Sequence, residues 1–485
     1  MATNISAESA MSSYALFNAT DIKSFIINQL SNSDNPVFSG CSYLGSNMNA
    51  LIDVVSVLTQ QILFHFSVNA SEANFATANL YESMSKLVSI LNYKTIGKQT
   101  SMLPVRFTIN VAGFKENNAS AQQLTIPRFT KVSYNSNYYL KNEIIIPLDD
   151  SNVGSILTVD TVLFEGTVSE AADFIALGDE FETFLLEDRR IKTSSQFISD
   201  NFFIVYVDED GTGQWKEYTE TLSLFSNNGE AMVYERKFNE DLNYEFKFGN
   251  GINGKKLKEG ARIAIFYLVS SGESAVLGEG VVTEQTAIEY SSSLWSSILS
   301  SNYTTIDSSS YGLDYVTATN IGAGTDIAYP ESVASIRANA PRIFASQNRL
   351  FTLDDYKTFI QKNFGSYIKD TYFCTNDEYT RDFLRYYYDL GLDRPQEDSR
   401  LNISQVEFMT STNFNNVYCF CVPKVNTIIN GTIPNYLNTT LKQEVVNGCA
   451  DAKGLTHNLV MLDPIHRAIC FGSYMDDEAW NPNQL

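Results

Sequence analysis

Few side chains in this sequence have the chemistry to coordinate a metal or move a proton, and their spacing argues for neither task. His65, His457 and His466 are the only histidines, and the last two share a stretch with Cys449 and Cys470. Zinc accepts such ligands, but zinc modules draw them from short paired spacings, and these two histidines lie beside expected strands. His65 falls in an apolar helical pattern and reads as an interface or hydrogen-bonded histidine. Cys419 and Cys421 alternate in "NNVYCFCVPKV", where a strand points both to one face, and read as buried thiols. Asp208, Glu209 and Asp210 stand near Trp215 as a glycosidase pair could, but adjacent acids on one turn cannot face each other across a sugar. The loop "FGNGINGKK" lacks the lysine-serine or lysine-threonine ending of a phosphate loop and reads as a hairpin. No catalytic, cofactor-binding or metal-binding residue is assigned, no cofactor is expected, and the chain reads as a non-enzyme.

The elements that would position such residues fall into three zones: 1–98, 99–329 and 330–485. In the first, "NMNALIDVVSVLTQQILFHF" places Leu51, Val55, Leu58 and Ile62 at spacings of four, three and four, and "ANLYESMSKLVSILNY" does the same with Leu80, Met84, Leu87 and Leu91. Each is a narrow apolar seam about two heptads long, too short for a free-standing coiled coil and suited to a bundle with other subunits. From 99 the period switches to two in "PVRFTINVAGF", "KVSYNSNYYLKNEIIIPL" and "ARIAIFYLVSSGES", between turn clusters whose glycines can take positive φ. This predicts a central antiparallel β domain, sandwich or barrel-like, and the serine-rich 291–312 reads as a linker or long excursion. From 330 helices and strands mix, so the fold class is multidomain α+β: an N-terminal helical bundle segment, a central antiparallel β domain and a C-terminal α+β domain.

Charge excludes one class of partner. The formal charge of -22, from 34 Lys and Arg against 56 Asp and Glu, opposes nucleic-acid binding, which needs clustered cations. Acidity is densest from Lys141 to Arg190, where twelve acids meet three bases, a solvated or partner-facing surface. The N-terminal "MATNISAESAMSS" has neither the basic start nor the apolar core of a secretory signal. No apolar run approaches the roughly 20 residues of a membrane span, so a soluble protein made in the cytoplasm, with no membrane partner, is expected. Six sparse cysteines fit a reducing compartment.

The most particular stretch is "ESVASIRANAPRIFASQNRLFTLDDYKTFI", 331–360. Pro330 predicts the start of a short helix and Pro341 its stop. Thr352 then caps an amphipathic helix with Leu353, Tyr356, Phe359 and Ile360 on one face. Arg337, Arg342 and Arg349 are guanidinium forks in an acidic chain, suited to bidentate carboxylate pairs.

This stretch resembles the segment shared by baseplate-J-like proteins of contractile-tailed phages. "FEGTVSEAADF" with "VYVDEDGTGQW", "YEFKFGNGINGKKLKEGARIAIFYLVSSG" and "GLTHNLVMLDP" resemble the same family in the same order, over roughly 164–464. The N-terminal helices and "LVSILNYKTIGKQTSMLPVRFTINV" are similar to the large baseplate wedge proteins of T-even-type myophages. The resemblance implies a structural, non-catalytic wedge subunit at the tail baseplate of the virion, assembled in the host bacterial cytoplasm around the tail tube and taking part in the change that triggers sheath contraction. Its implied partners are a second copy within a wedge, a ring of further copies, other wedge proteins and a sheath-like or sheath-initiating protein. It also implies a C-terminal region longer than the one ending at Leu485. The residues then expected at interfaces are Leu51, Val55, Leu58, Ile62, Leu80, Met84, Leu87, Leu91, Arg337, Arg342, Arg349 and Tyr356. A carbohydrate- or receptor-binding tail protein on the β scaffold is the alternative, and a metal-dependent enzyme would rest on His457 and His466 alone.

Overall fold

The computed structural model describes residues 18–31, 43–148 except 44, 92 and 120, 156–187, 195–272 except 240–242, 277–302, 313–379 except 348 and 377, 415–424, and 436–464 except 451. His466, Cys41, Cys470 and the second part, 303–312, of the serine-rich stretch lie outside these residues. The chain divides into two compact units, 1–93 with 332–341, and 94–331 with 342–485.

The first unit is helical. Its elements are α1 (Ala19–Ser31), α2 (Asn47–Glu72) and α3 (Tyr81–Ser89). Ser46 starts α2 by accepting from the Met48 backbone N–H. Lys23 of α1 pairs with Asp53 of α2 at 2.6 Å. The corner between α2 and α3 is fixed by side chains. The Glu72 carboxylate accepts from the backbone N–H groups of Asn79 and Leu80, covering donors that the start of α3 leaves open.

The second unit is built on β structure. One sheet has the order β14-β15-β1-β6-β4-β3, from β1 (Met102–Asn110), β3 (Lys131–Tyr134), β4 (Ser136–Leu140), β6 (Ile156–Glu165), β14 (Gln285–Thr286) and β15 (Val316–Asn320). Between its strands run α4 (Val111–Asn117) and the small pair β2 (Gln123–Ile126) and β5 (Ile144–Pro147). A second sheet, ordered β7-β13-β9-β10-β11-β12-β8, uses β7 (Thr167–Ile175), β8 (Thr183–Leu186), β9 (Phe197–Asp208), β10 (Trp215–Glu220), β11 (Val233–Phe238), β12 (Tyr244–Phe248) and β13 (Arg262–Ser270). Its edge strands β7 and β8 are consecutive in sequence, and the Phe174 and Phe184 rings meet across them at 5.6 Å. The sheet therefore curls until its edges face each other, which makes it barrel-like. Trp295 of α5 (Ser293–Asn302) is fully buried against Phe129 and Phe266, with ring centroids 4.7 and 5.8 Å away.

Two expectations need correction here. "FGNGINGKK" is not a hairpin, because β12 and β13 are not neighbours in the sheet. The loop folds on itself instead: the Asn250 side chain accepts from the backbone N–H of Ile252 and of Asn253, and Gly254 N–H donates to Asn228 O. A Cβ on Gly249 would lie 2.2 Å from the Gly254 backbone, so only glycine fits. The strands are also not all antiparallel, since β10 and β11 pair in parallel over Thr219 and Glu220.

The remainder of this unit is α+β. In chain order come α6 (Val333–Ser346), whose first part belongs to the helical unit, α7 (Leu353–Phe364), β16 (Ile368–Thr375), β17 (Asn416–Pro423), α8 (Thr439–Gly448) and β18 (Asn458–Leu462). Pro341 does not stop α6 but lies inside it, a third correction. Ile336, Ala340 and Ile343 are all buried, and burial on both sides of the proline outweighs the single hydrogen bond it removes. Thr352 forms the capping box of α7 with Asp355, and Tyr356, Phe359 and Ile360 are buried as the pattern predicts.

Candidate functional site

The groups singled out for chemistry are held in structural bonds. Asp208 is buried and accepts from Gly213 N–H at 2.9 Å and from Arg262 at 2.7 Å. Glu209 pairs with Lys255, and Asp210 with Lys258 at 2.8 Å. Burial works to raise the Glu209 carboxyl, but Lys255 outweighs it and the net shift is downward. Asp208 closes the β9–β10 turn by accepting from the Thr212 and Gly213 N–H groups, while Glu209 and Asp210 are taken up by lysines outside it. His457 Nδ1 is 3.3 Å from the Tyr356 hydroxyl, and the Phe351 ring meets its imidazole edge-on. Cys374, Cys419, Cys421 and Cys449 are buried free thiols, and burial pushes Cys421 up to about 11 and Cys449 to about 12. Thiols so raised remain protonated. Among the described residues no group of three or more His, Cys, Asp or Glu is placed to hold a metal.

What the structure leaves conspicuous is α2. Leu51 is 60% exposed and Ile62 67%, and Val55 and Leu58 are exposed with them. Val54, Val57, Leu63, Phe64, Phe66 and Val68 are exposed too. The buried face of α2 is instead Asn49, Ile52 and Ser56. A heptad seam sees only one stripe of this helix. Mean hydropathy finds the rest: it reaches 1.5 in the most apolar window, so by length and composition α2 could cross a membrane. The expectation that no segment approaches that threshold is corrected accordingly. In the second seam Leu80 is exposed, Leu87 and Leu91 are half-buried, and Met84 is fully buried.

The arginines separate. Arg337 donates to the backbone carbonyls of Phe75 (3.3 Å) and Ala78, pinning the α2–α3 corner from which Glu72 caps α3. The Asn79 N–H first, and Arg337 among lesser causes, hold the Glu72 carboxyl below its ordinary range. Arg342 and Arg349 are exposed, and none of the three forms an ion pair within 4.0 Å among the described residues. Tyr356 is buried in the α7 core.

Compared with known proteins, the chain is 23% identical over 354 residues to baseplate wedge protein gp6 of Enterobacteria phage T4, a match covering 68% of this chain. The chain is a distant relative of that baseplate wedge protein. It spans about half, 48%, of this wedge relative's length. No protein-family model matches the chain. Among solved structures, the anti-feeding prophage baseplate aligns with 92% of this chain and 70% of its own at 9% identity, with a TM-score of 0.22. Agreement that low carries no weight on fold, which stands on the elements described above.

Proposed function

We propose that this chain is a structural subunit of a baseplate wedge in a contractile tail, located in the virion and without a catalytic role. The kinship with a wedge protein supports the class of role, and one observation carries the mode of action: the exposed apolar surface of α2. Each large apolar side chain left in water forgoes roughly 1.5–3 kcal/mol, so ten on one helix mark a surface that other chains cover. A bilayer would meet the same length, but Asp53, Gln60, Gln61, His65 and Asn69 recur along α2, and polar groups without partners are costly in lipid. A bundle with other wedge subunits, including a second copy, satisfies both the apolar and the polar positions.

In this reading region 1–98 is the association segment, 99–329 the β body and 330–485 the α+β part that meets neighbouring subunits. Rearrangement of those contacts on sheath contraction is the chain's share in triggering. Gold-labelled antibody against the chain should decorate the tail end of intact particles bearing it. Label on the fibres or along the sheath, with none at the baseplate, would refute the proposal.

A further inference from the structure

The second unit contains a cavity of about 210 Å³ that a role in assembly leaves unexplained. Met102, Leu140 and Phe364 supply apolar wall, and three ionisable side chains, Lys141, Tyr367 and Glu444, line it. Tyr367 is 4% exposed, yet its hydroxyl has no hydrogen-bond partner among the described residues. A buried phenol normally finds one, because leaving it unpaired costs about 1–3 kcal/mol. Lys141 Nζ donates to Asn201 O at 2.8 Å and stands 5.9 Å from the centre of the Phe164 ring. An ammonium has three N–H groups, so this contact leaves two for another acceptor.

Charge agrees with an anionic guest. Burial lowers the Lys141 pKa although the Glu220 and Glu444 carboxylates pull the other way, and burial keeps the Tyr367 hydroxyl protonated and a donor. Glu444 is exposed as a residue, but the protein around its carboxyl raises its pKa against the opposing pull of Lys141.

We propose that this cavity binds a small monocarboxylate, its oxygens held by the Lys141 ammonium and the Tyr367 hydroxyl and its short aliphatic tail packed on Met102, Leu140 and Phe364. The site is independent of how the chain assembles. The test is titration of the full chain with butyrate, followed by saturation-transfer NMR, with butyramide and butylamine as neutral and cationic counterparts. Butyrate should bind saturably and butyramide at least about tenfold more weakly. Tyr367→Phe should weaken butyrate about tenfold while leaving the thermal midpoint of the free chain unchanged or higher, since it removes an unpaired buried hydroxyl. Lys141→Met should abolish binding. Absence of saturable butyrate binding, equal binding of butyramide, preference for butylamine, or unchanged butyrate affinity in a folded Tyr367→Phe chain would each overturn the assignment.

Discussion

Single side chains in this protein chiefly hold corners and buried charges. Arg337 is the clearest case, because its fork meets the carbonyls of Phe75 and Ala78. Arg337→Ala should cost about 1–3 kcal/mol of stability in the helical unit, read as a lower thermal midpoint, while Arg342→Ala and Arg349→Ala stay within about 0.5 kcal/mol in the isolated chain. A charge network in the β unit, with Arg236 and Asp200 buried and Glu220 at its exposed edge, gives a pH dependence. Arg236 meets Asp200 at 2.5 Å, and Glu220 pairs with both Arg236 and Lys94. Burial alone would raise the Glu220 carboxyl, but Arg236 and Lys94 hold it far below the ordinary range. A carboxyl lowered in the folded state contributes stability above its unfolded pKa, roughly 4.3, and loses it as pH falls from there toward the folded value. The midpoint should therefore drop on acidification below about pH 5. Glu220→Gln should lower the midpoint at pH 7 and flatten that drop; an unchanged acid slope would show that Glu220 is not a source of it.

Among the elements, those set by neighbours in sequence were legible and those set by distant packing were not. Thr352 and Asp355 lie within one turn, so their capping box follows from local chemistry alone. Thr352→Ala should cost about 1 kcal/mol, checked by chemical denaturation with an unchanged slope. The alternation that places Cys419 and Cys421 on one buried face was equally local. Pro341 misled because the packing of Ile336 and Ile343 carries the helix through it. "FGNGINGKK" misled for a related reason: its glycines were read correctly as turn formers, but whether β12 and β13 pair is decided by β9, β10 and β11, which lie between them in the sheet. The seam of Leu51, Val55, Leu58 and Ile62 was visible as a spacing, whereas exposure on nearly every face of α2 emerges only once α1 and α3 are seen to leave it uncovered. The cavity around Lys141 and Tyr367 was illegible for the same reason, since its lining comes from positions far apart in the chain.

At the scale of the whole molecule, the β unit buries its large apolar side chains more completely than the helical unit does. The barrel-like sheet brings its edges face to face, with Phe174 against Phe184, and an aromatic core is buried around Trp295. The helical unit instead leaves α2 exposed, and the proposed wedge role assigns that surface to other chains. Leu58→Glu with Ile62→Glu tests this, because both side chains are exposed in the single chain and the change should leave its fold and midpoint nearly intact. The decisive measurement is the native mass of the co-expressed wedge proteins with the wild-type chain and with this double variant. Association through α2 predicts a multi-subunit complex containing two or more copies for the wild type and only the single folded chain for the variant. A wild-type chain that remains single beside its neighbours, or a variant that assembles to the same mass, would contradict it.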